Sequence, residues 1–286
     1  VLARNAACHN QRLPARGAAA QAPSSLADSL AGVAYSYDDP AHVHAVTGLD
    51  CAPCAAEYEY DANGNMTTRP WQGGTQTLSY DEENRLVGVS GPVTATLSYD
   101  GQGHRVLRQM ASGTRLYLDD YFEGNAGYSA WVRYYYLNGQ RIAQRKPSGV
   151  IYLHSDHLGS TSATTGASSS KQLYYPYGAQ RTADQVSSTH RYTGQLWESA
   201  IGLYDYKARY YDPALGRFIQ PDSIVPEPGN PQALNRYSYG YNNPVKYTDP
   251  SGHVVDEGGA VYANADDLSY LIALVAQGDT TARTRL

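Results

Sequence analysis

The chain has 286 residues, and its 22 Lys and Arg against 27 Asp and Glu give a net charge of -5, which disfavours binding to nucleic acid or to an anionic membrane. No apolar run reaches the roughly 18 residues that a membrane span needs. Tyrosine dominates the aromatic residues, with 27 Tyr against 2 Phe and 3 Trp, and this bias favours β-sheets over a helical architecture.

The first 34 residues are rich in Ala, Arg, Pro and Ser without a sustained period, so residues 1–34 are predicted to be poorly ordered. They lack the apolar stretch of a secretory signal peptide. The chain begins at Val1 rather than Met, and we therefore expect it to be part of a longer protein, with any signal peptide upstream.

A repeat of Tyr-Asp pairs begins next, with steps of 23, 20 and 19 residues between pairs. In each unit alternating apolar or Tyr residues favour a strand, Asp begins a turn, and Gly or Asn supplies a positive φ before the return strand. Each unit is therefore predicted to be a β-hairpin, and such hairpins must stack into a continuous sheet. The pairs are Tyr37-Asp38, Tyr60-Asp61, Tyr80-Asp81 and Tyr99-Asp100.

Hairpins are predicted to continue through residues 35–200. Asn138-Gly139 predicts a tight turn between two further strands. A tract of small polar residues from Ser160 to Ser170 predicts a loop. In residues 201–253, two sets of evenly spaced tyrosines predict two strands, separated and followed by Asx-Pro stops. These sets are Tyr204, Tyr206, Tyr210 and Tyr237, Tyr239, Tyr241.

Residues 201–253 resemble the Rhs-repeat-associated core, the last part of the YD-repeat shell in bacterial Rhs polymorphic toxins and in the C component of Tc toxins. The resemblance rests on GLYDYKARYYDPALGRFIQPD from Gly202 to Asp222 and on NRYSYGYNNPVKYTDPSGH from Asn235 to His253. With the YD units and the YLHSDHLGS run, it covers about Tyr35 to His253. It implies an all-β fold, a curled antiparallel YD-repeat sheet that is part of a hollow shell.

The same resemblance implies a single-turnover aspartyl autoprotease without a cofactor, which cuts between His253 and Val254 and frees an enclosed C-terminal toxin. Matched position by position, Asp222 and Asp249 correspond to the paired carboxylates. The family has a bulky apolar residue at the cut, so the resemblance also implies an apolar pocket around the His253 side chain.

Arg209 matches the arginine of the family's A-R-Y-Y-D-P run and would orient or charge-balance the two carboxylates. From the residues alone, Arg209 is equally typical of a cross-strand partner for Asp205 or Asp212. The paired carboxylates themselves are, without the resemblance, typical of residues that cap turns before Pro or Ser.

Residues 254–286 contain no YD unit, and an apolar pattern from Asp266 to Val275 predicts a short helical C-terminal tail. In the family a variable toxin begins here. Because 33 residues are too few for an autonomous toxin, we interpret this segment as truncated.

Cys51 and Cys54, preceded by two histidines, have the spacing of half a zinc site, but no second Cys-x-x-Cys exists, so we expect no metal there. His154, Asp156 and His157 could be a metal or catalytic cluster, but their Asp-x-x-Gly setting favours a turn.

The resemblance implies two partners, the upstream YD-repeat shell and the C-terminal toxin segment in cis, with secretion-system or immunity proteins as further ones. It implies a secreted or cell-surface bacterial location. Two alternatives stay open at this point. One is a structural or adhesive YD-repeat module that binds carbohydrate or a cell surface, and the other is an inactive gene fragment. An adhesive module does not need Asp222 and Asp249 as a pair.

Overall fold

The computed structural model describes residues 34–50, 56–181, 186–225, 229–253 and 255–257. These residues form antiparallel β-sheets and short 3-10 turns, with no α-helix among them, so the predicted all-β architecture is confirmed. The described part of the chain also holds no helix that could span a membrane. The predictions for the Ala-rich start, for Cys51 and Cys54 and for the C-terminal helix lie outside the described residues.

Within each sheet the strands follow one another as a meander, so that paired strands are consecutive in the chain. A first sheet contains β1 (Ala34–Ser36), β2 (Gly48–Asp50) and β3 (Ala56–Glu57). A sheet of 13 strands follows: β4 (Glu59–Tyr60), β5 (Met66–Trp71), β6 (Gly74–Tyr80), β7 (Leu86–Ser90), β8 (Ala95–Tyr99), β9 (Arg105–Met110), β10 (Gly113–Leu118), β11 (Phe122–Asn125), β12 (Trp131–Leu137), β13 (Gln140–Lys146), β14 (Gly149–Ser155), β15 (Thr161–Gly166) and β16 (Ser170–Lys171).

Residues 186–253, called the core segment below, form two small sheets and three 3-10 turns. The strands are β17 (Leu196–Glu198), β18 (Leu203–Asp205), β19 (Tyr210–Asp212) and β20 (Arg217–Phe218), then β21 (Tyr247–Thr248), which pairs with β22 (Asp256–Glu257) beyond the segment. The 3-10 turns are Tyr192–Gly194, Pro231–Leu234 and Gly240–Asn242.

In the last three of the four YD pairs, the aspartate builds the hairpin turn, whereas Asp38 of the first pair bonds with the Thr47 hydroxyl. In the turn after β6, Asp81 Oδ1 accepts hydrogen bonds from the backbone N–H groups of Glu83 at 3.0 Å and Arg85 at 2.9 Å. The carboxylate thus satisfies two donors that the tight turn takes out of the ladder. Asp61, Asp100 and Asp156 bind the N–H groups two and four residues further on in the same way. The turn predicted around Asp156 is therefore confirmed.

In the pairs Tyr80-Asp81 and Tyr99-Asp100, the tyrosine joins its hairpin to the preceding unit. Tyr80 donates its hydroxyl to the Met66 carbonyl at 2.7 Å, and Tyr99 donates to Leu86 at 2.8 Å. Both acceptors begin the return strand of the unit before. The repeat therefore needs tyrosine rather than phenylalanine, because the ring fills the inner face while the hydroxyl pairs a half-buried carbonyl.

Replacing Tyr80 by phenylalanine should lower the free energy of unfolding by about 1–3 kcal/mol, since the Met66 carbonyl loses a partner in a half-buried position. Urea denaturation measures the loss. Tyr152→Phe is the matched control, because the Tyr152 side chain is exposed on the outer face of β14. Equal midpoints for the two variants would contradict the role assigned to the hydroxyl.

The large sheet is not closed, and one face of it curls around the core segment. Arg69 on β5 pairs with Asp212 at 2.9 Å, and Arg141, eight strands later on β13, donates to the Gly194 carbonyl at 2.9 Å. In a flat sheet, β5 and β13 would lie too far apart for both arginines to reach Gly194 and Asp212, which lie just before and within the sheet of β17 to β20. The fold is thus a curled antiparallel sheet with the core segment on its inner face.

The apolar core lies between this inner face and the core segment. Buried residues of the sheet contact buried residues of β18, β19 and the following loops: Met66, Leu78, Leu86, Val89 and Leu97 against Ile201, Leu203, Tyr210, Leu215 and Ile219. A second cluster is almost wholly aromatic and contains Tyr192, Tyr204, Tyr206, Tyr211, Phe218 and Tyr239. The tyrosine bias of the sequence therefore supplies core volume as well as hydrogen bonds.

Three local predictions were wrong. Tyr204 and Tyr210 lie on separate strands, β18 and β19, because a turn with Lys207 at φ 71° intervenes. The strand predicted over residues 237–241 is absent from the described fold, since Gly240, Tyr241 and Asn242 all have positive φ. The tract predicted as a loop contains strand β15, whose edge is paired with β14.

Candidate active site

Three residues predicted from the resemblance lie together in the core segment. Arg209 Nη2 lies 3.0 Å from Asp222 Oδ2 and 3.2 Å from Asp249 Oδ2. Because both oxygens bind the same nitrogen, their separation cannot exceed the sum of these two distances. All three side chains are buried, with the side chain of Asp249 only 2% exposed. The structure therefore brings the two carboxylates together around one guanidinium group.

Each aspartate also caps a turn with its other oxygen. Asp222 Oδ1 accepts from the N–H of Ile224 at 2.9 Å, and Asp249 Oδ1 accepts from the N–H of Gly252 at 2.8 Å. The two interpretations of these residues, as turn caps and as a carboxylate pair, are thus compatible. One oxygen fixes the backbone while the other faces Arg209.

Arg209 is held in place from several sides. Its guanidinium carbon lies 3.7 Å from the centre of the Phe218 ring, Nη1 donates to the Arg236 carbonyl at 2.9 Å, and Nε donates to the Gly252 carbonyl. The alternative partners bind other arginines, Asp205 with Arg105 and Asp212 with Arg69. The expectation that Arg209 pairs with one of those two aspartates is wrong.

The turn from Asp249 to Gly252 requires glycine at its end. Gly252 has φ 82°, and a Cβ there would lie 2.6 Å from the Tyr206 carbonyl oxygen. Gln195 supports the same turn, since its Nε2 donates to the Pro250 carbonyl at 3.1 Å. The D-P-S-G sequence contains a signal for the turn, whereas nothing in the sequence points to Gln195 or Phe218 as neighbours of the site.

The YD turn after Asp61, which contains Gly64, supports the loop that carries Asp222. Tyr237 donates its hydroxyl to the Gly64 carbonyl at 2.8 Å. A Cβ on Gly64 would lie 2.5 Å from that hydroxyl and 3.3 Å from Pro221. Only glycine therefore fits at this position, where the start of the repeat array meets the site.

His253 contacts the site through its side chain. Its Nδ1 lies 2.7 Å from Asp222 Oδ1, and its side chain is 19% exposed. The ring thus faces a buried carboxylate, which differs from the apolar surroundings that the resemblance implied. Val254, on the other side of the predicted cut, lies outside the described residues.

Burial sets the protonation of the pair. Desolvation raises the pKa of Asp249 above its ordinary value of 3.8, with the neighbouring Asp222 adding to the rise and Arg209 opposing it. Burial also lowers the pKa of Arg209, but a guanidinium group stays protonated at any physiological pH. Two carboxylates facing one fixed cation leave one excess negative charge if both are ionised. A proton on Asp249 removes that excess.

Two carboxylates beside one peptide segment, one of them with a raised pKa, are groups of the kind that can serve in general acid–base chemistry. Among the residues that the structure describes, no group of three or more His, Cys, Asp or Glu side chains could hold a metal ion. His154 and His157 instead bind Thr165 at 2.9 Å and the Val245 carbonyl at 3.2 Å.

Comparison with known proteins identifies the family. No family model matches the chain. The tRNA nuclease WapA of Bacillus subtilis strain 168 is 30% identical over 225 residues, which cover 71% of this chain and 10% of WapA. The crystal structure of TcdB2-TccC3 superposes with a TM-score of 0.56 at 23% identity over 77% of this chain and 13% of that one. The chain is a YD-repeat protein of the Rhs family.

Other relatives of this Rhs-family chain are proteins of different types, a deaminase toxin and a teneurin. Double-stranded DNA deaminase toxin A of Burkholderia cenocepacia is 27% identical over 242 residues, 68% of this chain and 17% of the toxin. Teneurin-1 of Gallus gallus is 28% identical over 210 residues, 66% of this chain and 8% of teneurin. The Rhs-family chain thus spans a small fraction of the length of these relatives.

Proposed function

We propose that this Rhs-family chain cuts itself once, between His253 and Val254, through the pair of Asp222 and Asp249. The observation that carries the proposal is that both carboxylates bind one nitrogen of Arg209 while His253, the residue before the cut, contacts Asp222. A peptide bond placed beside an acid and a base in the same chain reacts without a bimolecular encounter.

In the proposed reaction Asp222 is the base and Asp249 the acid. Asp222 takes a proton from a water molecule, and the oxygen of that water forms a bond to the carbonyl carbon of His253. Asp249, whose pKa is raised by burial, donates a proton from its acid form to the carbonyl oxygen. As the carbon–nitrogen bond breaks, Asp222 passes the proton it took from water to the nitrogen of Val254, and a hydroxyl group on the former carbonyl carbon returns a proton to Asp249. The products are a carboxyl group on His253 and an amine on Val254.

In a wider setting, we propose that the chain is part of a shell that encloses a C-terminal toxin and releases it by this cut. The curled sheet supports this, since its inner face already surrounds the core segment. Strand β1 has β2 on one edge and no partner on its other edge among the described residues, which suits pairing with upstream YD repeats. A secreted or cell-surface location is proposed from the same family resemblance.

The direct test is the intact mass of the purified 286-residue chain. We expect two fragments, one ending at His253 and one beginning at Val254. Spontaneous acid hydrolysis of an Asp-Pro bond would instead cut after Asp249, four residues earlier, and would not depend on folding. A folded chain that keeps its full mass would contradict the proposal.

The proposed roles predict how cleavage depends on pH. The raised pKa of Asp249 keeps its acid form populated above the usual range of aspartate, and that form is lost as pH rises through this pKa. We therefore expect the rate to be highest in mildly acidic buffer and to fall towards alkaline pH. Refolding the denatured chain at a series of pH values, with circular dichroism to check the fold, measures this. A rate that rises into the alkaline range would contradict the assignment.

A structural or adhesive surface module is the second candidate. Exposed tyrosines on the outer side of the sheet favour it, since such side chains suit carbohydrate or protein contacts. Tyr121 is 60% exposed and Tyr152 is 53% exposed. This candidate predicts a chain that stays intact and that is indifferent to substitution of Asp222 and Asp249.

A further inference from the structure

His253 contacts the proposed base through its ring, although the self-cleavage mechanism requires only its carbonyl group. We propose that His253 is a specificity-determining residue of the self-cleavage, which selects the cut site by donating a ring N–H to the Asp222 carboxylate. This inference rests on the proposed function, and it assigns the cut site a hydrogen-bond donor where an apolar side chain would otherwise be expected.

The contact is short and largely removed from water. His253 Nδ1 lies 2.7 Å from Asp222 Oδ1, and the two side chains are 19% and 7% exposed. A hydrogen bond to an ionised carboxylate is about twice as strong as one between neutral groups, and low exposure reduces its screening. The ring can donate from Nδ1 both as a neutral tautomer and as an imidazolium.

The backbone before the cut is anchored as well. The N–H of Gly252 binds Asp249 Oδ1 at 2.8 Å, and its carbonyl accepts from Arg209. The N–H of His253 binds Ser251 Oγ at 3.2 Å. One anchor thus joins the chain to Asp249, a second to Arg209, and the ring supplies the third, to Asp222. Together they hold the backbone up to His253 beside both carboxylates.

An apolar side chain at this position would remove one donor from Asp222. The carboxylate would keep Ile224 and Arg209 as donors, but apolar atoms would then face a buried charge, which is unfavourable. A side chain with an N–H on an atom bonded to its Cγ can donate to Asp222 from this position. Histidine has this atom as Nδ1 and asparagine has it as Nδ2.

Two substitutions at His253 distinguish the effect of the N–H donor from the effect of the ring. His253→Phe keeps the ring shape and removes the donor, whereas His253→Asn keeps a donor at the same position and removes the ring. We expect His253→Phe to slow cleavage about 10- to 100-fold, which corresponds to the loss of a hydrogen bond to a charged group. The cleavage rate of His253→Asn should stay within a few-fold of the rate of the unmodified chain. Both rates are measured by intact mass against time after refolding.

The outcomes are distinguishable. If His253→Phe cuts as fast as the unmodified chain, or if His253→Asn is as slow as His253→Phe, the donor role is wrong even when Asp222→Asn abolishes the cut. If Asp222→Asn and Asp249→Asn still cut after His253, the proposed function itself fails. A chain that never cuts contradicts both.

A second measurement does not depend on the rate. In the Asp249→Asn chain, which should stay uncut, nitrogen-15 spectra of the histidine rings should show a slowly exchanging Nδ1–H signal from His253. Adding Asp222→Ala should remove that signal, because its acceptor is gone. A His253 ring proton that exchanges equally fast with and without Asp222 would overturn the inference.

Discussion

Asp222→Asn is expected to abolish the cut after His253 and to leave the fold intact. The substitution keeps the volume and leaves an Oδ1 that can still accept from the N–H of Ile224, so the turn should survive. It removes the uptake of a proton from water and the ion pair of Oδ2 with Arg209, so circular dichroism must show that the variant is folded. General acid–base groups contribute about 10²- to 10⁴-fold to a rate, and we expect a loss of that order.

Asp249→Asn should have the same effect for the complementary reason, since an amide cannot donate a proton to the carbonyl oxygen as the neutral acid does. Asp81→Asn is the matched control. Its carboxylate caps a YD turn in the same manner, at 3.0 and 2.9 Å, but lies away from Arg209. Intact mass shows whether each of the three variants cuts after His253, and circular dichroism shows whether it is folded. Cutting after His253 in both site variants would leave the structural module as the better candidate.

Arg209→Met should destabilise the fold by about 3–5 kcal/mol, because it leaves two buried carboxylates without their shared cation. Arg209 opposes the rise in the pKa of Asp249, so removing the cation raises that pKa further in the folded state. The stability that depends on the protonated form of Asp249 is present in acid and is lost as pH rises through this raised value. The loss of stability in Arg209→Met, relative to the unmodified chain, should therefore be largest at neutral and alkaline pH and smaller in acid.

Urea denaturation of Arg209→Met at several pH values measures this, with the cleavage state of each sample checked by mass. Arg85→Met is the control, since Arg85 pairs with Asp81 and Glu83 in partly exposed positions and should cost less than about 1 kcal/mol. Adding Asp249→Asn to Arg209→Met should recover part of the stability by removing one unpaired charge. If the two arginine variants have the same midpoint, the buried cation does not hold the pair together.

The hairpins could be predicted because their determinants are local. An aspartate that caps the backbone two and four residues on needs nothing beyond its own turn, and this held from Asp61 to Asp156. The same logic failed where conformation depends on neighbours. Tyr241 alternates with other tyrosines as in a strand, yet its φ of 49° places it in the left-handed region, within the turn Gly240–Asn242.

The site could be predicted only in part. The resemblance supplied Asp222, Asp249 and Arg209, but their meeting depends on turns that lie on different strands and loops of the core segment. Sequence spacing cannot show such a meeting, because packing against distant strands decides it. The contact of His253 with Asp222 was not expected for the same reason. No pattern marks which side chain will face a carboxylate 31 residues earlier.

The contact between Tyr237 and Gly64 joins residues 173 positions apart. During synthesis the N-terminal repeats leave the ribosome first and can form local hairpins, whereas a pairing of such long range must wait for the end of the chain and forms slowly. The loop that carries Asp222 is thus positioned only after the repeat array exists to receive it. The topology imposes an order of events in which assembly of the array comes before any cut after His253.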